Sequence, residues 1–499
     1  MAENTIVSVL QRSLLTPVKA LKKRYIPLLL IYFAYGTQAI TGVALTFWEK
    51  ENLSLSAEDL VALGVWVSLP FTVKMIFGQL IDTLPLFGSR RRAWVFLGAA
   101  LMTLGYLLLY GMSTNSPYMT WMGSQVTMYL AAQLLMVLGF VVQDVTADAM
   151  TTEVVDRDQP DDAIKADLAM VQVLGRLSLM VALAISGGLG GYLADKLSYD
   201  SVFLIALVIP LISILGALFV TLDAQDTSSE TLSPTIFGGG IALAVFSVVM
   251  GFSNFGFSQE LTFLTTFTLI CWMLSTLLKG QDKTMIKSIV LTFTALFVFR
   301  ATPSVGPGYS WFAIDELGFD QAFFGTLRTF GGFAALIVLW FASDFIAKKS
   351  IRAVLILLII LGTILSLPDI ALYYGIHDKI GVSAKTIALL DTMAESPLVH
   401  MSMIPMLSLI AYYAPAGQRA TWFAVSASLM NLATTGGSIL TKYLNKLFVV
   451  SREVKGNEGI ITTAADYSQL GPLLWVSISA AFIVPLIVVF LCLKKPKEA

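Results

Sequence analysis

Residues 69–94 read LPFTVKMIFGQLIDTLPLFGSRRRAW, and the fold class turns on them. The first half is an apolar helical stretch carrying Lys74, Gly78 and Asp82 at successive i, i+4 positions, so the three share one face. An ammonium is expensive in hydrocarbon, which directs Lys74 toward a bundle interior or a wet cavity. The second half is a loop broken by Pro85 and Gly88 that ends in Arg90, Arg91 and Arg92. Such a basic triplet marks a cytoplasmic loop.

Composition extends the membrane reading to the whole chain. Its 499 residues are 56% hydrophobic and 13% charged, with a mean hydropathy of +0.78; soluble domains carry about 25% charge. The two cysteines, Cys271 and Cys492, sit in apolar stretches, and the two histidines are His377 and His400. Neither a disulfide framework nor a metal centre is expected from that set, and no cofactor. No G-x-x-x-x-G-K-[ST] stretch occurs, so ATP is not the direct energy source. The N-terminal segment lacks an apolar core ahead of a cleavage site and does not read as a signal peptide. The net charge of −1 identifies no partner, and no nucleic-acid partner is expected.

Measured against the roughly 20 residues needed to cross hydrocarbon, fourteen spans are expected. They cover 26–47, 60–81, 93–112, 125–150, 168–191, 201–222, 235–253, 260–278, 285–312, 321–346, 352–375, 384–413, 419–447 and 470–493. With the N-terminus inside, twenty of the 32 Lys and Arg fall in inside loops and eight outside. Both termini are therefore expected in the cytoplasm. The other four cations, Lys74, Arg176, Arg300 and Arg328, lie within spans.

The two halves of the chain echo one another. FWEKENLSLS (47–56) is similar to WFAIDELGFD (311–320), and Asp82 with its arginines corresponds to Asp344 with Lys348, Lys349 and Arg352, at nearly the same offset. Repeats of this kind place the binding site of a secondary transporter between them. The expected all-α architecture is a cytoplasmic segment 1–25, a six-helix half 26–222, an inserted helix pair with linkers 223–284, a second six-helix half 285–493 and a tail 494–499.

Gly78, Leu80, Asp82 and Arg90 to Arg92 resemble the loop motif of the major facilitator superfamily in a lengthened form. Joined to Pro70, Lys74, Pro85 and Gly88, to Asp144-Val145-Thr146-Ala147-Asp148-Ala149 and Glu153, and to Pro303-Ser304, Tyr309-Ser310-Trp311-Phe312 and Glu316-Leu317-Gly318-Phe319, the pattern resembles the folate–biopterin transporter branch. The resemblance implies pseudo-symmetric six-helix halves and alternating-access transport of folates or pterins, not an enzyme. Arg300-Ala301-Thr302 ahead of the Pro-Ser pair departs from that pattern, so a role for Arg300 rests on physics alone.

Asp144 and Asp148 lie one turn apart on a common face. A pterin edge presents an amino group beside a ring N–H, two donors that a carboxylate accepts together. The same carboxylates can carry a coupling proton, or simply neutralise Lys74 or Arg176. A folate's anionic glutamate calls for cations, for which Lys74, Arg176, Arg300 and Arg328 are the candidates. Pro303, Gly306, Pro307 and Gly308 are expected to break the helix just beyond Arg300, a cavity-lining feature. Asp391 and Glu395 repeat the acid spacing, and Glu395 falls near mid-span. Asp82, Arg90, Arg91, Arg92 and Asp344 read as gate elements. A proton gradient is the expected driver, through Asp144, Asp148 or Glu395.

A monomer in a bacterial inner membrane is expected, an organellar envelope being the alternative. Competing substrates are another organic anion or a thiamine-like heterocycle. A remote alternative is an intramembrane prenyltransferase using the acidic run Asp156, Asp158, Asp161, Asp162 and Asp167. Its spacing lacks two facing D-x-x-x-D sets, and a hydrated loop explains it more simply.

Overall fold

The computed structural model describes residues 21–89, 91–119, 123–156, 158–222, 234–253, 255–347, 350–401, 419–455 and 461–493. Helix dominates, as apolar runs in lipid require: with no water to bond the backbone, each segment must satisfy its own N–H and C=O groups. In chain order the helices are α1 (Ile26–Thr37), α2 (Gly42–Asn52), α3 (Ala57–Thr72), α4 (Lys74–Thr83), α5 (Arg92–Ser113), α6 (Gln125–Glu153), α7 (Asp161–Lys196), α8 (Tyr199–Ile205) and α9 (Val208–Phe219). Then follow α10 (Pro234–Phe252), α11 (Ser258–Leu277), α12 (Lys283–Arg300), α13 (Gly308–Asp315), α14 (Gln321–Ala347), α15 (Ile351–Leu365) and α16 (Leu367–Tyr373). The last are α17 (Ile376–Ile380), α18 (Ala384–Met401), α19 (Arg419–Leu447) and α20 (Leu470–Cys492), with a small antiparallel ribbon, β1 (Val454–Lys455) and β2 (Ile461–Thr463), before α20.

Among the described residues, ten helical stretches are long and apolar enough to cross a membrane. They are Lys23–Asn52, Ala57–Ile81, Arg92–Ser113, Gln125–Thr151, Met170–Lys196, Tyr199–Phe219, Ser258–Leu277, Gln321–Val338, Ile351–Tyr373 and Leu470–Cys492. The other four expected spans are helical but fall short for identifiable reasons. Within 235–253 the apolar helix runs over Gly238–Gly251, too short to count. The helix expected at 285–312 is interrupted between Arg300 and Gly308, and 384–413 is described as far as Met401. The fourth, α19, is rich in Ser, Thr, Asn and Gly.

Local chemistry sets the boundaries. Ser56 caps α3 through a reciprocal capping box with Asp59, and Asp282 caps α12 by accepting from the backbone N–H of Thr284 at 2.8 Å. The chain breaks at Gly306, whose φ of +78° suits glycine. Polar side chains of α19 take up the backbone groups that this break frees. Thr441 accepts from Ser304 N at 2.9 Å, and Asn445 donates to Val305 O at 3.1 Å.

Two seams join the halves: α7 against α14, and α3 with α4 against α19. The first seam is glycine-built. A Cβ on Gly191 would stand 2.2 Å from Gly325 Cα, and one on Gly188 would stand 1.8 Å from Thr329 Oγ1. The second is stitched by Asn431 donating to Phe71 O at 2.9 Å and by Ser68 against Thr435 at 3.0 Å. Helices α10 and α11 lean on this second seam. Gln259 of α11 donates to Ala62 O at 2.8 Å and accepts from Lys442 of α19 at 3.2 Å, while Lys442 also pairs with Glu260.

Candidate functional site

Four of the expected residues meet in the first half. Lys74, at the start of α4 beyond the break at Val73, pairs with Asp144 of α6. The Asp144 side chain is 3% exposed, and its Oδ1 has no hydrogen-bond partner among the described residues. One turn on, Asp148 accepts from Tyr32 at 2.6 Å and faces Arg176 of α7 at 3.7 Å. Asp148, near the end of α6, and Arg176, within α7, are 42% and 55% exposed, and charges so placed face water rather than lipid. The grouping thus carries two carboxylates, two cations and a phenol. A buried carboxylate oxygen left unbonded is a ready acceptor, since its desolvation is uncompensated until a donor arrives.

The second half places its charges differently. Arg300 ends α12 and donates to Met430 O at 3.3 Å and Thr434 Oγ1 at 3.2 Å of α19. Arg328 of α14 reaches across to the first half: a Cβ on Gly42 would lie 2.1 Å from its Nη1, and one on Gly187 would lie 2.9 Å from its Cβ. Asp391 and Glu395 of α18 lie within electrostatic reach of Asp369 in α16, and Tyr309 of α13 faces Asp369. No basic side chain pairs with these three acids among the described residues.

The basic loop is tied down within its own half. Arg91 is buried and donates to Glu153 at 2.6 and 2.9 Å and to Ile81 O at 3.1 Å. Arg92 donates to Val220 O at 2.7 Å. Arg90 and the side chains of Asp82 and Asp344 lie outside the described residues. Removing one member of a buried pair strands the other charge and costs about 3–5 kcal/mol. Arg91→Met is therefore expected to lower the thermal unfolding temperature in detergent markedly, and Arg91→Met with Glu153→Leu to recover much of the loss. Nearby, burial pushes the Asp167 carboxyl up, but hydrogen bonds from Lys22 at 2.5 Å and Gln159 at 2.8 Å outweigh it and hold it below its ordinary value.

At the end bearing the 53–56 turn the halves are bolted together. Lys50 pairs with Asp315 at 2.6 Å, Asp315 also accepts from Tyr467 at 2.5 Å, and Gln321 donates to Tyr199 at 3.0 Å. Arg452 donates to the carbonyl of Glu49 at 3.0 Å and to that of Leu53. Lys50 and Asp315 belong to the two segments whose likeness marks the repeat, so the repeat joins to itself there. Sequence reasoning missed this bolt, together with Tyr32, Tyr309 and Asp369. The echo of 47–56 in 311–320 was the available signal. At the end bearing Arg91, the described ion pairs stay within one half.

The chain matches the BT1 family over residues 36–498. It is 25% identical over 464 residues to the folate-biopterin transporter of Synechocystis sp., covering 89% of this chain and 79% of that protein. A probable folate-biopterin transporter of Arabidopsis thaliana is 23% identical over 450 residues, covering 85% of this chain and 88% of its own length. Folate transporter 1 of Plasmodium falciparum is 19% identical over 425 residues, covering 85% and 72%. In fold, the chain is similar to a POT family transporter solved with 5-aminolevulinic acid. The TM-score is 0.65 at 14% identity, over 94% of this chain and 95% of that one. A match along nearly the whole length, on a two-seamed helical bundle with charges gathered between its helices, makes this chain a member of the BT1 family.

Proposed function

We propose that the protein moves folates or related pterins across a membrane by alternating access between two six-helix halves, driven by a proton gradient. The observation that carries the reading is the buried Asp144. One oxygen holds Lys74 and the other is unbonded among the described residues, next to Asp148, Tyr32 and Arg176. Such an acceptor suits the paired donors of a pterin edge. The names of the relatives support the substrate class.

In this reading the halves are 26–222 and 285–493, the inserted pair falls within 223–284, and fourteen spans leave both termini in the cytoplasm. The helices α10 and α11, packed against α3, α4 and α19 at the second seam, support the inserted pair. Positive-inside bias puts the Arg91 end in the cytoplasm. The Lys50–Asp315 bolt then closes the outside, and the state is inward-facing. Asp82, Arg90 and Asp344 act at the cytoplasmic gate, and Arg91 and Arg92 anchor that loop. Asp148 or Glu395 carries the proton. The working unit is a monomer, in a bacterial inner membrane.

Uptake of radiolabelled folate and biopterin into proteoliposomes, with and without an inward proton gradient, tests the coupling. Accumulation above equilibrium only with the gradient is expected. Equal accumulation in both conditions would remove the proton from the mechanism.

A further inference from the structure

Of the four cations expected within spans, Arg328 is the one with no partner among the described residues. Lys74 and Arg176 face Asp144 and Asp148, and Arg300 rests on a carbonyl and a hydroxyl of α19. Arg328 has neither an ion pair nor a hydrogen bond among the described residues. Arg328 is exposed, yet its side chain lies against Gly42 of α2 and Gly187 of α7 across the seam. It therefore borders the space between the halves, not lipid. The two glycines make the notch it occupies, for a Cβ at Gly42 would collide with the guanidinium.

The helix α7 is continuous from Asp161 to Lys196 and carries both reference points. Arg176 marks the acidic grouping and Gly187 marks Arg328. Eleven residues at 1.5 Å each separate them by about 16 Å along the axis. That span is comparable to an extended pteroylglutamate, from the donor edge of its pterin to its glutamate carboxylates. A guanidinium is the side chain best shaped for a carboxylate, two parallel N–H donors meeting two oxygens.

Building on the folate–pterin reading, we propose that Arg328 is the specificity residue for the anionic tail. It takes a glutamate carboxylate of the substrate in the Gly42–Gly187 notch, while Asp144 reads the pterin. Arg328 thus distinguishes folates, whose glutamate carboxylates reach the notch, from biopterin, which has no carboxylate, and from pteroate, whose single benzoate carboxylate lies one glutamate short of it.

The test is the ratio of folate to biopterin uptake by purified protein in proteoliposomes. Arg328→Gln is expected to lower that ratio at least about tenfold, the factor one charge-assisted contact supplies. If Arg328→Gln transports neither compound, Gly42→Ala, which crowds the guanidinium, is expected to lower the same ratio. Wild-type protein gives an independent reading, in which pteroate competes for labelled folate at least about tenfold less well than folate itself. An unchanged ratio in a variant that still transports, or pteroate competing as well as folate, overturns the assignment. Failure of wild-type protein to take up either folate or biopterin would instead overturn the reading on which it rests.

Discussion

Asp144→Asn is expected to weaken pterin binding by about a hundredfold or more, because it removes two charge-assisted hydrogen bonds at about 1.5–3 kcal/mol each. An amide in that position presents a donor to an edge that is itself all donors. The substitution also strands Lys74, whose side chain is 22% exposed and so retains some water. Stability should fall by less than the about 3–5 kcal/mol of a fully buried pair. The two consequences separate in the double variant Lys74→Met with Asp144→Asn, which should regain thermal stability in detergent and still not bind. Equilibrium binding of radiolabelled biopterin to each variant decides it. If the double variant binds like wild type, the Lys74–Asp144 pair is merely structural.

Gly191→Leu is expected to reduce uptake by about tenfold or more through the seam between α7 and α14. Gly191 meets the backbone of Gly325 with no room for a side chain, and overpacking such a contact costs about 1–3 kcal/mol. That penalty falls only on the state in which this seam is closed, so the population shifts toward opening at the 53–56 end by up to about two orders of magnitude. Cysteines replacing Lys50 and Asp315 report the closure directly. Their cross-linking should be fast in an otherwise wild-type background and slow with Gly191→Leu. Equal rates would mean that the seam does not control closure.

Much of this was readable in the chain because lipid leaves so few options. An apolar run of sufficient length has to be a helix, and Pro303 with Gly306 has to interrupt one. Residues 301–307 do so, directly after Arg300. The acid pair on α6 was legible from its i, i+4 spacing, and the plain expectation that it neutralises Lys74 and Arg176 describes the contacts observed. The acceptor role of Asp144 is a proposal beside it, supported by one oxygen that has no partner among the described residues. Long-range partners were not legible. Lys50 and Asp315 are 265 residues apart, and nothing in one dimension says that two similar segments meet. The same holds for Tyr32 on Asp148 and for Asp369 beside Asp391. Of the candidate charges, Lys74, Asp144 and Arg176 gather around α6, whereas Arg300 is held on α19. The stretches 235–253, 384–413 and 419–447 carry too short an apolar run, too much polarity or too little described chain for length and hydropathy to decide them.

Counterflow puts the central claim, one pterin-reading site opened alternately to each side, to its most direct test. Proteoliposomes holding purified protein are loaded with unlabelled folate and diluted into a trace of labelled folate, with no ion gradient. The account predicts transient accumulation of label above equilibrium, suppressed by external biopterin and unaffected by thiamine. Absence of any overshoot in protein shown to be folded, or suppression by thiamine as strong as that by biopterin, would contradict it.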